Sequence, residues 1–529
     1  MTELLTAAQM RAIEQAAIAS GEVTGLELME RAGAGVLNAI LQEWPDMAKS
    51  PQKAVVLCGP GNNGGDGFVV ARLLKARGWD VEVFLYGEVE KLPPDAKVNA
   101  KRWMEMGAVL DITIIANTFT FSNAKSARKG TDVIVDALFG TGITRPIEGL
   151  DIMIDDVKLR AEYFDKSHEF TRVVSIDFPS GISSDTGNEI EPSAPLLDDS
   201  IVSNLTVTFH CLKIGHTIGV GPTACGEIVV KEIGLKKHGC VGVRLVTSKS
   251  IRIPKHSMSH KFHYGHALIL SGPATRTGAA RLAARGALRI GAGVVSLGCP
   301  QEAAAECAAQ LTAIMLAPIE DGAALKATLQ DKRINALCLG PALGVDDRGR
   351  GLLEAAVRAE HAPYVVLDAD ALTILAKVPE LFAKLHKNCV LTPHAGEFKR
   401  LFPDIAAKLE APAATGPAYS KVDATREAAA RAGCVVLFKG ADTVIAAPDG
   451  RAAINSAHYD RAAPWLATAG SGDVLAGFIT GLLARGFAPM QAAETAAWLH
   501  VECALKFGPG LIAEDIPEQL PAVFLELDL

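Results

Sequence analysis

Carboxylate and amide side chains interrupt a glycine-rich segment near the start of the chain, residues 58–67 (CGPGNNGGDG). The segment follows a short apolar run and precedes a helical pattern predicted at Phe68–Arg77. Glycines at such a junction allow a tight turn, and the start of the helix then offers unpaired N–H groups to an anion. A carboxylate at Asp66 would repel a bare pyrophosphate. Asn62, Asn63 and Asp66 therefore predict a site for a cation together with a phosphate-bearing ligand.

Two further aspartates stand where predicted strands end. Asp136 lies in VIVDALFGTGITRPIEG and Asp177 in DFPSG. The carboxyl ends of parallel strands meet at one edge of a sheet, where ligands of open α/β folds bind. A single aspartate after a strand is commonly a helix cap, but three acids beside glycines favour a binding site. Lys213, in CLKIG, is either a partner in proton transfer or a surface residue.

In the second half, the segment ATAGSGDVLAG (residues 467–477) predicts a glycine turn that opens a helix. Such a turn aims backbone N–H groups at a phosphoryl group, and Asp473 can accept a hydroxyl proton. Lys439–Thr443 (KGADT) follows the apolar run VVLF and is suited to nucleotide phosphates. Further loops at predicted strand ends are residues 340–344, 368–370 and 392–397. The pattern G-x-x-x-x-G-K-[ST] is absent from the sequence, which argues against a P-loop protein.

Short β-branched runs alternate with helical patterns throughout, which is typical of βαβ units with parallel sheets. The predicted strands are 54–58, 81–86, 133–135, 173–176, 205–209, 267–270, 294–298, 336–339, 364–367, 389–391 and 434–438. We place a domain boundary near residue 240, between domains 1–240 and 241–529. Thr6 and Gln9 predict a capping box at the start of a helix. Residues 183–200 are polar and acidic and are predicted to form a surface loop.

Composition narrows the class of protein further. Of the 529 residues, 49% are hydrophobic, enough for two large cores, and the net charge of −8 argues against a basic nucleic-acid-binding surface. Ten scattered cysteines fit a reducing compartment, and neither a leader peptide nor a membrane span is apparent. We expect a cytoplasmic enzyme with no nucleic-acid or membrane partner. Histidines at 256, 260, 263 and 266 lack an acid or cysteine at ligand spacing, so a loop is favoured over a zinc site.

The motifs GNNGGDG, VDALFGTG and DFPSG follow, in this order, a helix with LMERAG. Together they resemble the NAD(P)H-hydrate epimerase family over about residues 1–235, which implies a Rossmann-like, doubly wound sheet and interconversion of the R and S hydrates. The resemblance implies contacts with the hydrated nucleotide at Asn62, Asn63, Gly64, Gly65, Asp66, Gly140, Thr141, Gly142, Ile143, Thr144, Arg145, Pro146 and Asp177. It also implies a potassium ion held by Asn63, Asp136 and Ser180. A carboxylate near the reacting carbon would move a proton, and we assign this catalytic role to Asp136.

The second-half motifs resemble the ADP-dependent NAD(P)H-hydrate dehydratase family over about residues 250–525, with a ribokinase-like α/β sheet. The implied reaction phosphorylates the S hydrate from ADP and expels phosphate, giving NAD(P)H and AMP, with Asp473 as the base in contact with substrate. The implied nucleotide contacts are Lys439, Gly440, Ala441, Asp442, Thr443 and Gly472. The implied hydrate contacts are Ala280, Gly344 and His394, and Mg²⁺ would offset phosphate charge. Residues 455–461 and 260–265 depart from the family pattern, which leaves the local substrate contacts open.

Three alternatives remain at this point. A nicotinamide-dependent dehydrogenase built on Gly59–Gly64 leaves Asp66 and Asp136 unexplained. A ribokinase-like vitamin kinase with a scaffold-like first half would use the same base and anion hole. A non-enzymatic scaffold would be expected to lose its acids, which are present here. The fused arrangement itself supports repair, because an epimerase would supply the dehydratase with the correct epimer. The sequence leaves self-association, the preference for NADHX or NADPHX, direct transfer between sites and regulation open.

Overall fold

A computed structural model describes residues 2–116, 131–143, 145–151, 153–155, 157, 171–190, 197, 200–236, 242–255, 259–411 and 418–528. The chain divides into two compact units. The first contains mainly Glu3–Val241, and the second contains mainly Gly242–Ala411 and Ser420–Leu529. Among the described residues, no helix is both long and apolar enough to cross a membrane.

The N-terminal half alternates strands with helices. Its strands are β1 (Thr2–Leu4), β2 (Lys53–Cys58), β3 (Asp80–Leu85), β4 (Val109–Asp111), β5 (Val133–Ala137), β6 (Arg172–Ile176), β7 (Leu205–Phe209) and β8 (Glu227–Lys231). Its helices are α1 (Ala7–Ala19), α2 (Gly25–Glu43), α3 (Asn62–Ala76), α4 (Pro94–Met104), α5 (Thr113–Ala116) and α6 (Gly221–Ala224). The predicted capping box forms, since Thr6 Oγ1 accepts from Gln9 N (3.1 Å) and Gln9 Oε1 accepts from Thr6 N (2.9 Å).

The sheet of the first unit has the strand order β4-β3-β2-β5-β6-β7-β8, and all neighbours are parallel. The central strands are buried on both faces, which accounts for their continuous apolar runs. The chain leaves β2 toward one edge of the sheet and returns through β5 to the other. The switch point of this doubly wound sheet therefore lies between the carboxyl ends of β2 and β5, where open α/β sheets bind ligands.

The second unit contains the remaining elements. Its strands are β9 (Val243–Leu245), β10 (His266–Leu270), β11 (Val294–Cys299), β12 (Met315–Pro318), β13 (Ile334–Leu339), β14 (Tyr364–Leu367), β15 (Cys389–Leu391), β16 (Val435–Phe438), β17 (Asp442–Ala446) and β18 (Ala452–Ser456). Its helices are α7 (Gly278–Arg289), α8 (Gln301–Gln310), α9 (Gly322–Thr328), α10 (Asp347–Val357), α11 (Ala369–Lys377), α12 (Pro379–Phe382), α13 (Ala395–Leu401), α14 (Pro403–Glu410), α15 (Lys421–Ala432), α16 (Ser471–Ala484), α17 (Pro489–Phe507) and α18 (Asp515–Glu526).

These strands have the order β9-β18-β17-β16-β15-β14-β13-β10-β11-β12. Pairing is parallel except for the antiparallel neighbours β16–β17 and β17–β18. Helix α16 is buried on almost every side, because the eleven consecutive residues from Val474 to Ala484 are all buried. A helix that is apolar all round belongs in a core, and this one brings its N-terminal turn to the sheet edge from inside the unit.

The predicted α/β class with two sheets is confirmed, and each predicted strand overlaps an observed one. The edge strands β4 and β12 and the β17–β18 hairpin were not predicted. The prediction of a surface loop at 183–200 was wrong for the described part of that segment. Ser183, Ser184 and Glu189 are buried, since the backbone there bonds to residues 214–221 and Glu189 accepts from Ser200 Oγ.

Candidate active sites

The first candidate site lies at the switch point between β2 and β5. Gly59 N donates to Ala137 O (2.9 Å), so the loop after β2 lies directly on the loop after β5. A β-carbon on Gly59 would overlap the carbonyl oxygen of Leu138. Glycine is therefore required at this position by a close backbone approach.

Helix α3 begins at Asn62, six residues earlier than the predicted start at Phe68. The predicted contact residues Asn62, Asn63, Gly64, Gly65 and Asp66 thus form its first turn instead of a preceding loop. The N-cap residue, Gly61, provides no side-chain cap. Backbone N–H groups of this turn are consequently available to an anion, in addition to the Asn and Asp side chains.

Asp136, on β5, is fully buried and surrounded by hydrogen-bond donors. Its Oδ1 accepts from Ser180 Oγ (2.6 Å) and Leu138 N (3.2 Å), and its Oδ2 accepts from Ser180 N and Ser175 Oγ (both 2.9 Å). Burial raises the pKa of this carboxyl group, and the hydrogen bonds oppose that rise in part. Both oxygens are occupied by the protein, an arrangement typical of a fixed ligand or a structural anchor.

Oxygen atoms around Asp136 fit a monovalent cation. Ser180 Oγ lies 3.1 Å from Phe139 O and also touches Asp136, and the Asn63 amide group lies against Gly140. The Asn63 Nδ2 atom is buried without a hydrogen-bond partner among the described residues. Because an amide can be turned to present its oxygen instead, this orphaned group fits a cation ligand. Asn63, Asp136 and Ser180, the three predicted potassium ligands, thus lie in one neighbourhood.

The partly buried Asp177 forms an ion pair with the fully buried Lys213 beside this neighbourhood. Lys213 has no exposed surface, which excludes the alternative of a surface lysine, and its Nζ donates to Asp177 Oδ1 (2.9 Å) and Thr208 Oγ1 (2.8 Å). Burial would raise the pKa of Asp177, but Lys213 and hydrogen bonds outweigh it, and the pKa is lowered. Asp177 has φ of 65°, a left-handed conformation that is strained for a residue with a side chain and is found at functional sites.

The Oδ2 atom of Asp177 accepts no hydrogen bond from the described residues. His216 supports this loop, since its Nδ1 accepts from Lys213 N (2.9 Å) and its Nε2 lies 3.2 Å from Asp177 O. Burial lowers the pKa of His216 to about 3, so the ring is neutral. Asp177 therefore favours the ionised state and keeps one oxygen without a hydrogen-bond partner among the described residues.

Two more carboxyl groups interact electrostatically with Asp177, and both favour the protonated state. Burial, followed by the charges of Asp177 and Glu14, raises the pKa of Asp66 well above its usual value. Burial and Asp177 raise the pKa of Glu14 to about 7. Glu14 was not predicted, although it interrupts the buried stripe of Met10, Ile13 and Ala17 on α1. A charged residue on an apolar helix face was the signal that could have identified it.

The segment after Asp136 that was predicted to touch substrate is described except for Thr144, which lies outside the described residues. Gly140 and Thr141 are partly exposed, Gly142, Arg145 and Pro146 are exposed, and Ile143 is buried. Ser184 Oγ lies 3.4 Å from Thr141 O. Arg11 Nη1, from α1, lies 3.9 Å from the position of a β-carbon on Gly142, which adds a cation near the segment.

The second candidate site surrounds the start of α16. Gly470, with φ of +90°, is its N-cap and provides no side-chain cap. Among the described residues, no acceptor is bonded to the N–H groups of Gly472 and Asp473, whereas Val474 N donates to Gly470 O. His500 Nε2 lies 2.9 Å from Ser471 O, and burial lowers its pKa to about 4, so a neutral ring supports the turn. This is the geometry of an anion hole.

A pocket of about 490 Å³ opens in front of this turn. Its lining includes Lys439, Gly440, Ala441, Thr443 and Gly472, five of the six predicted nucleotide contacts. Asp442, the sixth, accepts from Lys421 Nζ (2.5 Å) at the start of β17. Five of the predicted phosphate-binding residues therefore line one pocket.

Asp473 lies one residue beyond Gly472 on α16. Burial and the charge of Asp368 raise its pKa to about 7, against the opposing effect of Lys439. A carboxyl group with a pKa near the working pH is suited to general-base catalysis. The role of Asp473 as the base stays a prediction.

Comparison with known proteins gives an independent result. The family model described as NAD(P)H-hydrate dehydratase matches residues 267–517, and the model described as YjeF-related protein N-terminus matches residues 25–215. A bifunctional NAD(P)H-hydrate repair enzyme of Moorella thermoacetica is 33% identical, and the alignment covers 99% of this chain and 97% of that protein. The chain belongs to the family of bifunctional NAD(P)H-hydrate repair enzymes.

A second relative agrees with this family. The NAD(P)H-hydrate epimerase of Rhodobacter capsulatus is 44% identical over 44% of this chain and 100% of its own length. An ADP/ATP-dependent NAD(P)H-hydrate dehydratase of Bacillus subtilis, co-crystallised with ATP and Mg²⁺, is 26% identical over 54% of this chain and 99% of its own, with a TM-score of 0.43. The predicted family, with an isomerase and a lyase in one chain, is confirmed, and the vitamin-kinase alternative is not favoured.

The remaining predicted contacts of this repair-enzyme family have different environments. Ala280 is fully buried in the first turn of α7, so its backbone N–H is the group that it could offer. Gly344 N donates to Asp370 Oδ2 (2.9 Å), and the exposed His394 caps α13 through Gly396 N (3.0 Å). Asn455, in a segment that departs from the family pattern, lies on β18 and lines the pocket.

Three of the four clustered histidines lie within the described residues. His256 lies outside the described residues. The rings of His260 and His263 are tilted by 32° with centres 3.7 Å apart, and His266 Nε2 lies 2.8 Å from Ser296 Oγ. Within the described ranges, no group of three or more His, Cys, Asp and Glu side chains could hold a metal ion.

Proposed function

We propose that residues 1–240 interconvert the R and S hydrates of NAD(P)H and that residues 241–529 dehydrate the S hydrate with ADP as phosphoryl donor. The products would be NAD(P)H, AMP and phosphate. The observation that carries this proposal is the match of the whole chain to repair enzymes. Two features support it. In the first unit, the pKa of Asp66 is raised and that of Asp177 is lowered, and in the second unit Asp473, with a raised pKa, follows the anion hole.

In the first unit, the environments of Asp66 and Asp177 push their pKa values apart, and such pairs commonly divide the acid and base roles. Protonated Asp66 would give its proton to the leaving hydroxyl group, and the departure of water would leave a planar cation stabilised by the ring nitrogen. Water would return to either face and pass a proton to ionised Asp177. Asp177 would then release that proton to solvent, and Asp66 would take up a proton from solvent, which restores both groups.

The predicted proton transfer by Asp136 stays a prediction, and the two occupied oxygens of Asp136 support a ligand role instead. Asn63, Asp136 and Ser180 would hold potassium, which when bound supplies positive charge near the substrate's phosphates. Asp136→Asn should raise the potassium concentration that gives half-maximal epimerisation. If the epimerisation rate of this variant stays low at saturating potassium, Asp136 transfers a proton instead.

In the second unit, Asp473 would accept the proton of the hydrate's hydroxyl group as that oxygen attacks the β-phosphorus of ADP. The N–H groups of Gly472 and Asp473 and the ammonium group of Lys439 would stabilise charge on the phosphoryl oxygens, and AMP would leave. Cleavage of the carbon–oxygen bond then releases phosphate, the neighbouring carbon loses a proton, and the dihydronicotinamide ring is restored. Magnesium, brought with the nucleotide, would offset phosphate charge.

The test is the recovery of absorbance at the reduced-nicotinamide band from mixed R and S hydrates, with ADP, Mg²⁺ and K⁺. We expect full ADP-dependent recovery by the wild-type chain, recovery of only the S fraction by Asp66→Asn and Asp177→Asn, and none by Asp473→Asn. Recovery limited to the S fraction in the wild-type chain would contradict the epimerase assignment. No recovery, with a stable phosphorylated product, would indicate a kinase instead.

A further inference from the structure

Asp368 occupies the N-cap position of α11 but does not cap that helix. No backbone N–H of the helix bonds to its carboxylate, whereas the corresponding aspartates of α9 and α10, Asp321 and Asp346, accept from Ala324 N and Gly349 N (both 2.9 Å). The usual structural role of an aspartate after a strand is therefore not the role of Asp368.

The Asp368 carboxylate points instead to Lys439. Lys439 Nζ lies 2.7 Å from Asp368 Oδ1 and 3.7 Å from Glu397 Oε2, and both carboxylates are buried. Burial alone would lower the pKa of Lys439, but the two carboxylates outweigh it and the pKa is raised. The ammonium group is thus charged and is held from two sides.

The held ammonium group stands at the anion hole. Lys439 Nζ lies 3.6 Å from the position that a β-carbon would take on Gly472, the residue with a free backbone N–H. The backbone of Asp368 is itself fixed, because Asp368 N donates to Leu339 O (3.0 Å) and a β-carbon on Gly340 would overlap Asp368 O. The cation at the anion hole therefore has a rigid support.

We infer that Asp368, assisted by Glu397, is a positioning residue that holds the Lys439 ammonium group where the transferred phosphoryl group binds and keeps a negative charge beside the base Asp473. This inference rests on the proposed dehydration. Asp368 touches neither reacting group in this arrangement. Asp368 fixes the position of the Lys439 ammonium group, and its negative charge opposes the ionisation of Asp473.

The inference predicts a specific pattern for Asp368→Asn, which preserves side-chain shape. The turnover number for ADP-dependent dehydration should fall about tenfold or more, because the cation is no longer fixed at the developing charge. The KM for ADP should not rise, because one of three carboxylates that repel the nucleotide is gone. The acid limb of the kcat/KM profile should move to lower pH, because Asp473 loses a like charge.

Asp321→Asn is the matched control, an aspartate that does cap its helix, and it should leave all three quantities unchanged. Glu397→Gln should move the acid limb in the same direction by a smaller amount. A raised KM for ADP with an unmoved acid limb would indicate a merely structural role for Asp368 and would overturn the inference.

A second measurement separates this inference from the proposed function. The carboxyl resonance of Asp473 in the full chain can be titrated by carbon-13 NMR without ADP, in the wild type and in Asp368→Asn. A lower midpoint in the variant supports the inference even if the wild-type chain shows no dehydration, which would refute only the proposed function. An unchanged midpoint refutes the inference even in an active enzyme.

Discussion

Replacement of Asp473 by asparagine should abolish dehydration and, at the same time, stabilise the second unit. The pKa of Asp473 rises from the usual 3.8 to about 7 in the folded chain, mainly through burial and the charge of Asp368. The native state therefore keeps a proton that the unfolded state releases between pH 4 and pH 7. Native stability falls as pH rises through this window, because the unfolded state binds fewer protons there.

The magnitude follows from the two pKa values. The difference corresponds to about 4 kcal/mol at pH 8, since each pKa unit is worth about 1.36 kcal/mol. Asparagine does not titrate, so the free energy of unfolding of Asp473→Asn should exceed that of the wild type by up to about 4 kcal/mol at pH 8. The excess should be about 2 kcal/mol at pH 5 and almost nothing below pH 4. The gain should grow between pH 4 and 7 and be constant above that.

Hydrogen exchange of the full chain, read in peptides from the core strands of the second unit, measures this free energy of unfolding. Asp404→Asn is a control of opposite sign, because Arg431 lowers the pKa of Asp404 to about 2. Loss of this carboxylate should lower the stability of the second unit at pH 8. If Asp473→Asn is no more stable than the wild type at pH 8, or gains equally at pH 4 and pH 8, the reasoning on Asp473 fails.

Two other substitutions test the first unit. Lys213→Met leaves the mostly buried carboxylate of Asp177 without its cation, so it should cost up to about 3 kcal/mol of stability. It should also move the acid limb of epimerisation to higher pH, since Asp177 loses the charge that lowers its pKa. The control Lys231→Met, at a partly exposed site, should change neither quantity. An acid limb that does not move would exclude Asp177 as the base. Gly59→Ala should abolish epimerisation and spare dehydration, because its β-carbon meets Leu138 O, and Gly61→Ala, with open space around it, should have little effect on either rate.

Much of both candidate sites was predictable from the sequence because parallel strands deliver their carboxyl ends to one sheet edge. Asp136, Asp177 and the glycine segment after β2 come together for that reason, although about 120 residues separate the first from the last. The turn before Asp473 was predictable on similar grounds, since a glycine ahead of an apolar helix leaves N–H groups unpaired. The start of α3 was placed too late, because Asn62–Gly67 has weak helix propensity and its helical turn depends on packing in the unit.

Local patterns in the chain were therefore enough to predict the fold class, the family and the polar residues at the two sheet edges. The environment of each group depends on tertiary contacts: Lys213 is buried and paired, the pKa of Asp66 is raised, and Asp368 bonds to Lys439 instead of capping α11. The physical reason is that a strand's pattern and its following motif are local, whereas burial and charge act between residues far apart in the chain. Asp368 and Lys439 are 71 positions apart, and no local pattern records the 2.7 Å between them.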